Sequence, residues 1–244
     1  MNFFARLKKK KAPATHTAQI ETPHGSVTLQ AKRSRRARRM TLRIDAGNDC
    51  AILVLPTYVA LAEGLAFARS KADWLHSKLA ELPERQSFAD GAVLQVLGRA
   101  VTIRHEPGLG ARVVEENGIL RVGGDADLLR GRVLRWLKLA ARKALAERAT
   151  ERAAQIGRKH SRVTLRDSRT RWGSCSSDGN LSFCWRLVLA PPDVFDYVVS
   201  HEVAHLAEMN HGPRFWEIVA QLTPHAEAAK RWLTDNGAAL QRQG

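Results

Sequence analysis

Between Leu187 and Leu206 the chain is predominantly apolar, yet it carries His201, Glu202 and His205 inside that stretch. Val194, Phe195, Tyr197, Val198, Val199, Val203 and Leu206 require burial, and buried imidazoles and carboxylates require partners. A metal ion supplies such partners. Pro191-Pro192-Asp193 opens the segment as a helix, since proline suits a first turn and Asp193 puts negative charge beside the positive end of the helix dipole. Gly212-Pro213 is expected to end it.

On a helix, residues four apart are separated by about 40° around the axis and one turn along it, so His201 and His205 reach one ion together. Glu202 lies beside them, placed to take a proton from a metal-bound water rather than to complete the coordination shell. Three protein ligands and one open position is the arrangement of catalytic zinc. His211, in the spacing HExxHxxxxxH, is the favoured third ligand because a turn at Asn210 to Pro213 curls it back. Glu208 competes, being about 20° from His201 on a continuing helix, and otherwise serves as an acceptor behind the ligands. One zinc per chain is the expected cofactor. With Glu202 as catalytic base, hydrolysis of a polarised carbonyl is the expected chemistry.

Upstream, Val27 to Gln30, Met40 to Ile44 and Ala51 to Leu55 are β-prone runs separated by turn signals, read as a meander. Tyr58 to Leu79 has helical periodicity and predicts one helix of about twenty residues. Leu94 to Leu97, Val101 to Arg104, Ala111 to Val114 and Ile119 to Val122 form a second meander. A long amphipathic helix follows from about Asp127 to Ile156. Asp178-Gly179 predicts a β-hairpin just before the histidine-bearing helix, and helices are expected near Arg214 to Leu222 and Pro224 to Asn236, with Gly237 as a stop. No internal repeat is visible. Trp74, Trp136, Trp216 and Trp232 fall at apolar helix positions and read as core, and His225 at a helix start reads as solvent-facing. The fold class expected is α+β, with a β-rich N-terminal half and a helical zinc-binding C-terminal half. Residues 1–18 form a basic leader, 19–124 a β-rich region and 125–244 the hydrolase domain.

The net charge of +15 is uneven: residues 1–45 hold twelve Lys and Arg against Glu21 and Asp45. Arg33, Arg35, Arg36, Arg38 and Arg39 are therefore candidate contacts for nucleic acid or another polyanion, unless they are solvated strand-edge charge. Three cysteines give no disulfide framework, and no apolar run suits a signal peptide or a membrane span, so a cytoplasmic protein is expected. Cys175 and Cys184 read as ordinary hairpin residues. Arg169, Arg171 and Ser174 are candidate substrate-groove residues, because the hairpin offers an edge for β-addition of a polypeptide.

Arg171-Trp172-Gly173-Ser174-Cys175-Ser176-Ser177, Gly179-Asn180-Leu181-Ser182, Trp185-Arg186-Leu187, His201 through His205, Asn210-His211 and Phe215-Trp216 resemble the YgjP-like metallopeptidase family, akin to SprT-like zinc proteases. The resemblance is strongest over about residues 160 to 236. It implies a zincin-type domain with His201, His205 and His211 on zinc and Glu202 as base. Glu208, where the wider HExxHxxGxxH pattern has glycine, argues against a metzincin. Two other functions stay open: a metal-dependent nucleoside triphosphate pyrophosphohydrolase, and a non-enzymatic nucleic-acid-binding protein with a structural metal.

Overall fold

Val27, Leu29 and Ala31 are buried while Thr28, Gln30 and Lys32 are half-exposed, the period-two burial of a strand with one covered face. This strand belongs to a computed structural model that describes residues 15–244, so residues 1–14 of the expected leader lie outside the described residues. The chain divides into two compact units, at residues 1–82 and 83–244. It is an α+β protein.

The first unit holds β1 (Thr15–Thr22), β2 (Gly25–Ser34), β3 (Thr41–Asp45) and β4 (Cys50–Pro56) in the order β1-β2-β4-β3. The expected meander is corrected: β2 and β4 run parallel, with β3 crossing to the far edge and returning as an antiparallel partner of β4. Alternating apolarity reports which face of a strand is covered and says nothing of its neighbour, which is why the sequence reading failed here. Residues 15–18, assigned to the leader, are strand β1. The single helix expected after Pro56 is two, α1 (Leu61–Arg69) and α2 (Ala72–Ala80), broken where Ser70 and Lys71 bond back to Ala66 and Ala68. Gly64 allows the close approach of α1 to β4, since a Cβ there would lie 2.5 Å from Leu55 Cδ2. Trp74 is 43% exposed and is not core.

The second unit opens with β5 (Val93–Val96), β6 (Arg99–His105), β7 (Val113–Glu116) and β8 (Ile119–Val122), ordered β5-β6-β8-β7. Here too the expected meander gives way to a parallel central pair, β6 with β8. The two four-stranded sheets thus repeat one topology, although no repeat is visible in sequence. Helix α3 (Ala126–Gln155) explains why this sheet does not belong with residues 15–82. Its buried residues recur every four positions, at Leu129, Val133, Leu137, Ala141, Leu145, Ala149 and Ala153. A four-residue spacing drifts about 40° per step, so the apolar stripe winds around the helix and needs different covers along its length. They are β7 and β8, then α4 (Pro192–Ala204) and the 3-10 turn Trp185–Leu189, and also β9 (Arg162–Arg166). The compact unit that carries the histidine helix opens at residue 83, because Leu94, Val96, Ile103, Leu120 and Val122 share the core of α3 and α4.

The third sheet is ordered β10-β11-β9, from β10 (Gly173–Cys175), β11 (Asn180–Cys184) and β9. β10 and β11 form the expected hairpin, with Ser174 opposite Ser182. Helices α5 (Pro213–Leu222) and α6 (Ala226–Gln241) complete the unit. Gly237 does not stop α6. Trp172 packs beside it, and a Cβ there would stand in ordinary contact with Trp172 Cζ2 at 3.4 Å.

Candidate metal centre

Helix α4 is fixed to α3 by one carboxylate. Asp196, 7% exposed, accepts hydrogen bonds from Arg148 Nη1 at 2.8 Å and from Arg152 Nε and Nη2 at 3.0 Å. With Val199 and Val203 buried on the same helix, the turn that carries His201 is held on both sides.

The helix ends earlier than expected. His205 is its C-cap, and the bonds from Leu206 N to Val203 O and from Ala207 N to Ala204 O tighten the backbone into a turn. Gly212 and Pro213 instead begin α5. The early stop removes the continuing helix on which Glu208 was a rival ligand. Its backbone carbonyl accepts the Nδ1 hydrogen of His205 at 3.1 Å, and its carboxylate accepts from Asn210 N at 3.3 Å. That bond occupies Nδ1 and leaves Nε2 as the His205 nitrogen free to act as a ligand.

His201, His205 and His211 each offer a ligand nitrogen within 4.8 Å of the other two. Phe215, fully buried at the start of α5, packs on all three rings, with centroids at 5.0, 4.5 and 4.7 Å. Trp216 adds a second wall, 6.0 Å from the His201 and His211 rings. It is therefore part of the site rather than only core. The Nε2 atoms of His201 and His211 are 3.2 Å apart. Two nitrogens on one tetrahedral zinc, each at about 2.05 Å, lie about 3.3 Å apart. Burial, with the neighbouring His205 and His211, holds His201 down at about 4, and burial lowers His205 as well, so these rings present lone pairs rather than positive charge. By separation, protonation and chemistry the donor set fits zinc.

Glu202 is 7% exposed, and burial pushes its carboxyl up to about 7 against the lowering charge of Arg171. It lies against Gly173: a Cβ at that position would be 2.6 Å from Glu202 Oε1. β10 thus runs past the carboxyl with no side chain between. Trp172 O accepts from Cys184 N and Asn180 O from Ser176 N, so residues 172, 174 and 176 pair with β11. By antiparallel alternation the peptide groups of Gly173 and Cys175 face the open edge of the sheet.

Arg171 and Ser174 line a cavity of about 370 Å3 together with the three histidines and Glu202. Arg169 is placed elsewhere, with its Nε 3.8 Å from Asp167 Oδ1. His225 precedes the first turn of α6, has its Nε2 3.8 Å from Asp193 Oδ1 and takes no part in the cluster. Cys175 borders the cavity, where burial and the charge of Glu202 raise its thiol to about 11, so it is protonated at neutral pH. Cys184 is buried in the hairpin. Tyr197, Leu233, Thr234 and Lys230 also reach the site, lining a second cavity with His201 and Glu202. Only Tyr197 had a signal in sequence, four residues before His201 on the same helix face.

Residues 38–236 match the YgjP-like metallopeptidase domain. The chain belongs to this family. Membership makes the protein a metallopeptidase-type hydrolase, implies a metal and a polypeptide substrate, and agrees with the histidine cluster inside the matched span. No curated protein matches the chain. Among solved structures, the metallopeptidase zymogen abylysin of Pyrococcus abyssi aligns at 22% identity, covering 38% of this chain and 92% of that one with a TM-score of 0.33. Among the described residues no helix is long and apolar enough to cross a membrane.

Proposed function

We propose that this member of the family is a zinc-dependent peptidase that binds its substrate as a strand on the free edge of β10 and uses Glu202 as its base. The observation that carries the reading is the juxtaposition of three converging imidazoles with a buried carboxyl pressed against an edge-strand glycine. His201, His205 and His211 would hold zinc, which would supply a Lewis acid to polarise a carbonyl and to lower the pKa of a water toward about 7.

The peptide groups of Gly173 and Cys175 orient an extended substrate by strand addition, with the scissile carbonyl beside Glu202. Glu202 takes a proton from the attacking water at a carboxylate oxygen and delivers it to the departing amine nitrogen. A carboxyl poised near neutrality is suited to both transfers. Arg171 offers positive charge at the same mouth.

Elemental analysis and a peptide library test the proposal. One zinc per chain, lost in His201→Ala and His205→Ala, with peptide cleavage abolished but zinc retained in Glu202→Gln, is the expected result. Pyrophosphate release from nucleoside triphosphates, lost in Glu202→Gln and without any peptide cleavage, overturns it.

A second reading concerns the first unit. Arg33 is structural, donating to Thr57 O and Val59 O at 2.8 and 2.9 Å. Arg35, Arg36, Arg38 and Arg39 are exposed on the following turn, which the hydroxyl of the 77% exposed Tyr58 ties down at Arg38 O. Exposed arginines around an exposed aromatic ring suit a single-stranded nucleic acid, through phosphate contact and base stacking.

A further inference from the structure

The second cavity beside Glu202 has a composition that selects among peptides. It measures about 400 Å3 and lies between α4, α6 and the segment entering β10. Its walls are apolar, from Trp172, Tyr197, Val198 and Leu233. Two cations, Arg171 and Lys230, border it, and its one carboxyl is Glu202. Helical spacing puts Lys230, Leu233 and Thr234 on one face of α6, and packing of Trp172 on Gly237 holds that face against the β10 entrance.

Lys230 is positioned but not committed. Its ammonium lies 5.0 Å from the centre of the Trp216 ring, which restrains it over the site. Its ion-pair partner is Glu227 at 3.2 Å, a carboxylate 78% exposed. An exposed pair of this kind contributes little and exchanges readily for another carboxylate. Arg171 makes no ion pair among the described residues, and the carboxyl its charge acts on is that of Glu202.

We propose that this cavity is the subsite for a residue bordering the scissile bond, and that it prefers a residue presenting a carboxylate beyond an apolar body, held by Lys230 and Arg171. This inference rests on the peptidase reading. The carboxylate comes either from a glutamate side chain within a chain or from the terminus of a polypeptide ending in an apolar residue. A lysine side chain is rejected by the same two cations.

Binding to the zinc-loaded Glu202→Gln protein tests the subsite without turnover. The probes are acetyl-Ala-Ala-Phe with a free carboxylate against its amide, and acetyl-Ala-Glu-Ala-amide against its Gln and Lys counterparts, read by tryptophan fluorescence. At least one carboxylate peptide is expected to bind about tenfold more tightly than its neutral counterpart, as one charge-assisted hydrogen bond provides. Lys230→Gln in the same background should reduce the difference, and Lys230→Gln combined with Arg171→Gln should erase it. The pair that shows the preference identifies the source of the carboxylate. Equal binding of charged and neutral peptides overturns the proposal. So does a preference that survives the double replacement, which places the carboxylate on the metal instead. Failure of the wild type to cleave any peptide counts against the peptidase reading alone, since the binding comparison needs no cleavage.

Discussion

Gly173 and Glu202 touch: the position a Cβ would take on the glycine lies 2.5 Å from Cγ and 2.6 Å from Oε1 of the glutamate. Gly173→Ala can fold, because the glutamate side chain is able to turn away. The carboxyl then leaves its place beside the histidines. The variant should keep its metal and its melting temperature within a few degrees, yet lose about a hundredfold in kcat, the scale of an ångström's misplacement in an active site. Metal analysis and peptide kinetics on one preparation check this. Unchanged kcat removes the glycine from the positioning of the base.

Asp196 joins α4 to α3 through two arginines, and it is the more buried member of the group. Asp196→Ala leaves Arg152 without its main partner under partial burial, a loss of about 2 kcal/mol once the exposure of Arg148 is allowed for. For a domain of this size each kcal/mol moves the melting temperature by about 2–4 °C. A fall of roughly 4–8 °C in a thermal scan is the expected outcome. No fall shows that the triad orients the helix without stabilising it.

Asp167 contributes to stability at neutral pH and loses that contribution in acid. Burial pushes its carboxyl up, but the bond and charge of the buried Arg186, with Arg169, outweigh burial and hold it below the usual carboxylate range. A depressed carboxyl stabilises the fold fully above its unfolded pKa of about 3.9, and that stabilisation disappears as pH falls through the folded value. Asp167→Asn should therefore lower the melting temperature at pH 7 and leave it closer to wild type near pH 3. A deficit equal at both pH values contradicts the assignment.

If the turn bearing Arg35, Arg36, Arg38 and Arg39 meets phosphates, binding of single-stranded nucleic acid should weaken steeply with salt. Each lost phosphate contact flattens the log–log slope by about 0.7, so replacing all four by glutamine should flatten it by up to about 3. Arg33→Gln is the wrong probe, because Arg33 holds the Thr57 to Val59 turn. An unchanged slope leaves these arginines as solvated charge.

What the sequence shows of this protein follows from what side-chain patterns encode. The stripe of α3 and the Asp178-Gly179 hairpin are local patterns, and both are present in the structure. The parallel pairs β2 with β4 and β6 with β8 are choices of partner, which alternating burial does not specify. At the site, His201 and His205 stood out because buried imidazoles in an apolar helix need partners, and the structure brings them together with His211. Lys230 was not legible, since a lysine on a helix surface looks the same whether it faces solvent or a cavity. Trp216 resembled core for the same cause: packing on imidazoles and packing on leucines leave one apolar signature.

His211 and Glu208 give opposite predictions for the metal. His211 sits ten residues beyond His201, but the turn after Ala204 returns its Nε2 to 3.2 Å from that of His201. Removing it leaves two imidazoles and should lower zinc affinity by orders of magnitude, because a tetrahedral site with two protein ligands holds the ion only weakly. Glu208 touches His205 through its backbone carbonyl, which alanine retains, while its carboxylate bonds only Asn210 N among the described residues. Glu208→Ala should change zinc affinity by less than about tenfold, the lower end of what loss of a supporting contact costs. Competition of each variant against a chelator of known affinity measures both. The absorption of a cobalt-loaded form reports in parallel whether the tetrahedral geometry survives. A large loss in Glu208→Ala with His211→Ala near wild type would restore the carboxylate as the third ligand and require the turn after Ala204 to rearrange around the metal.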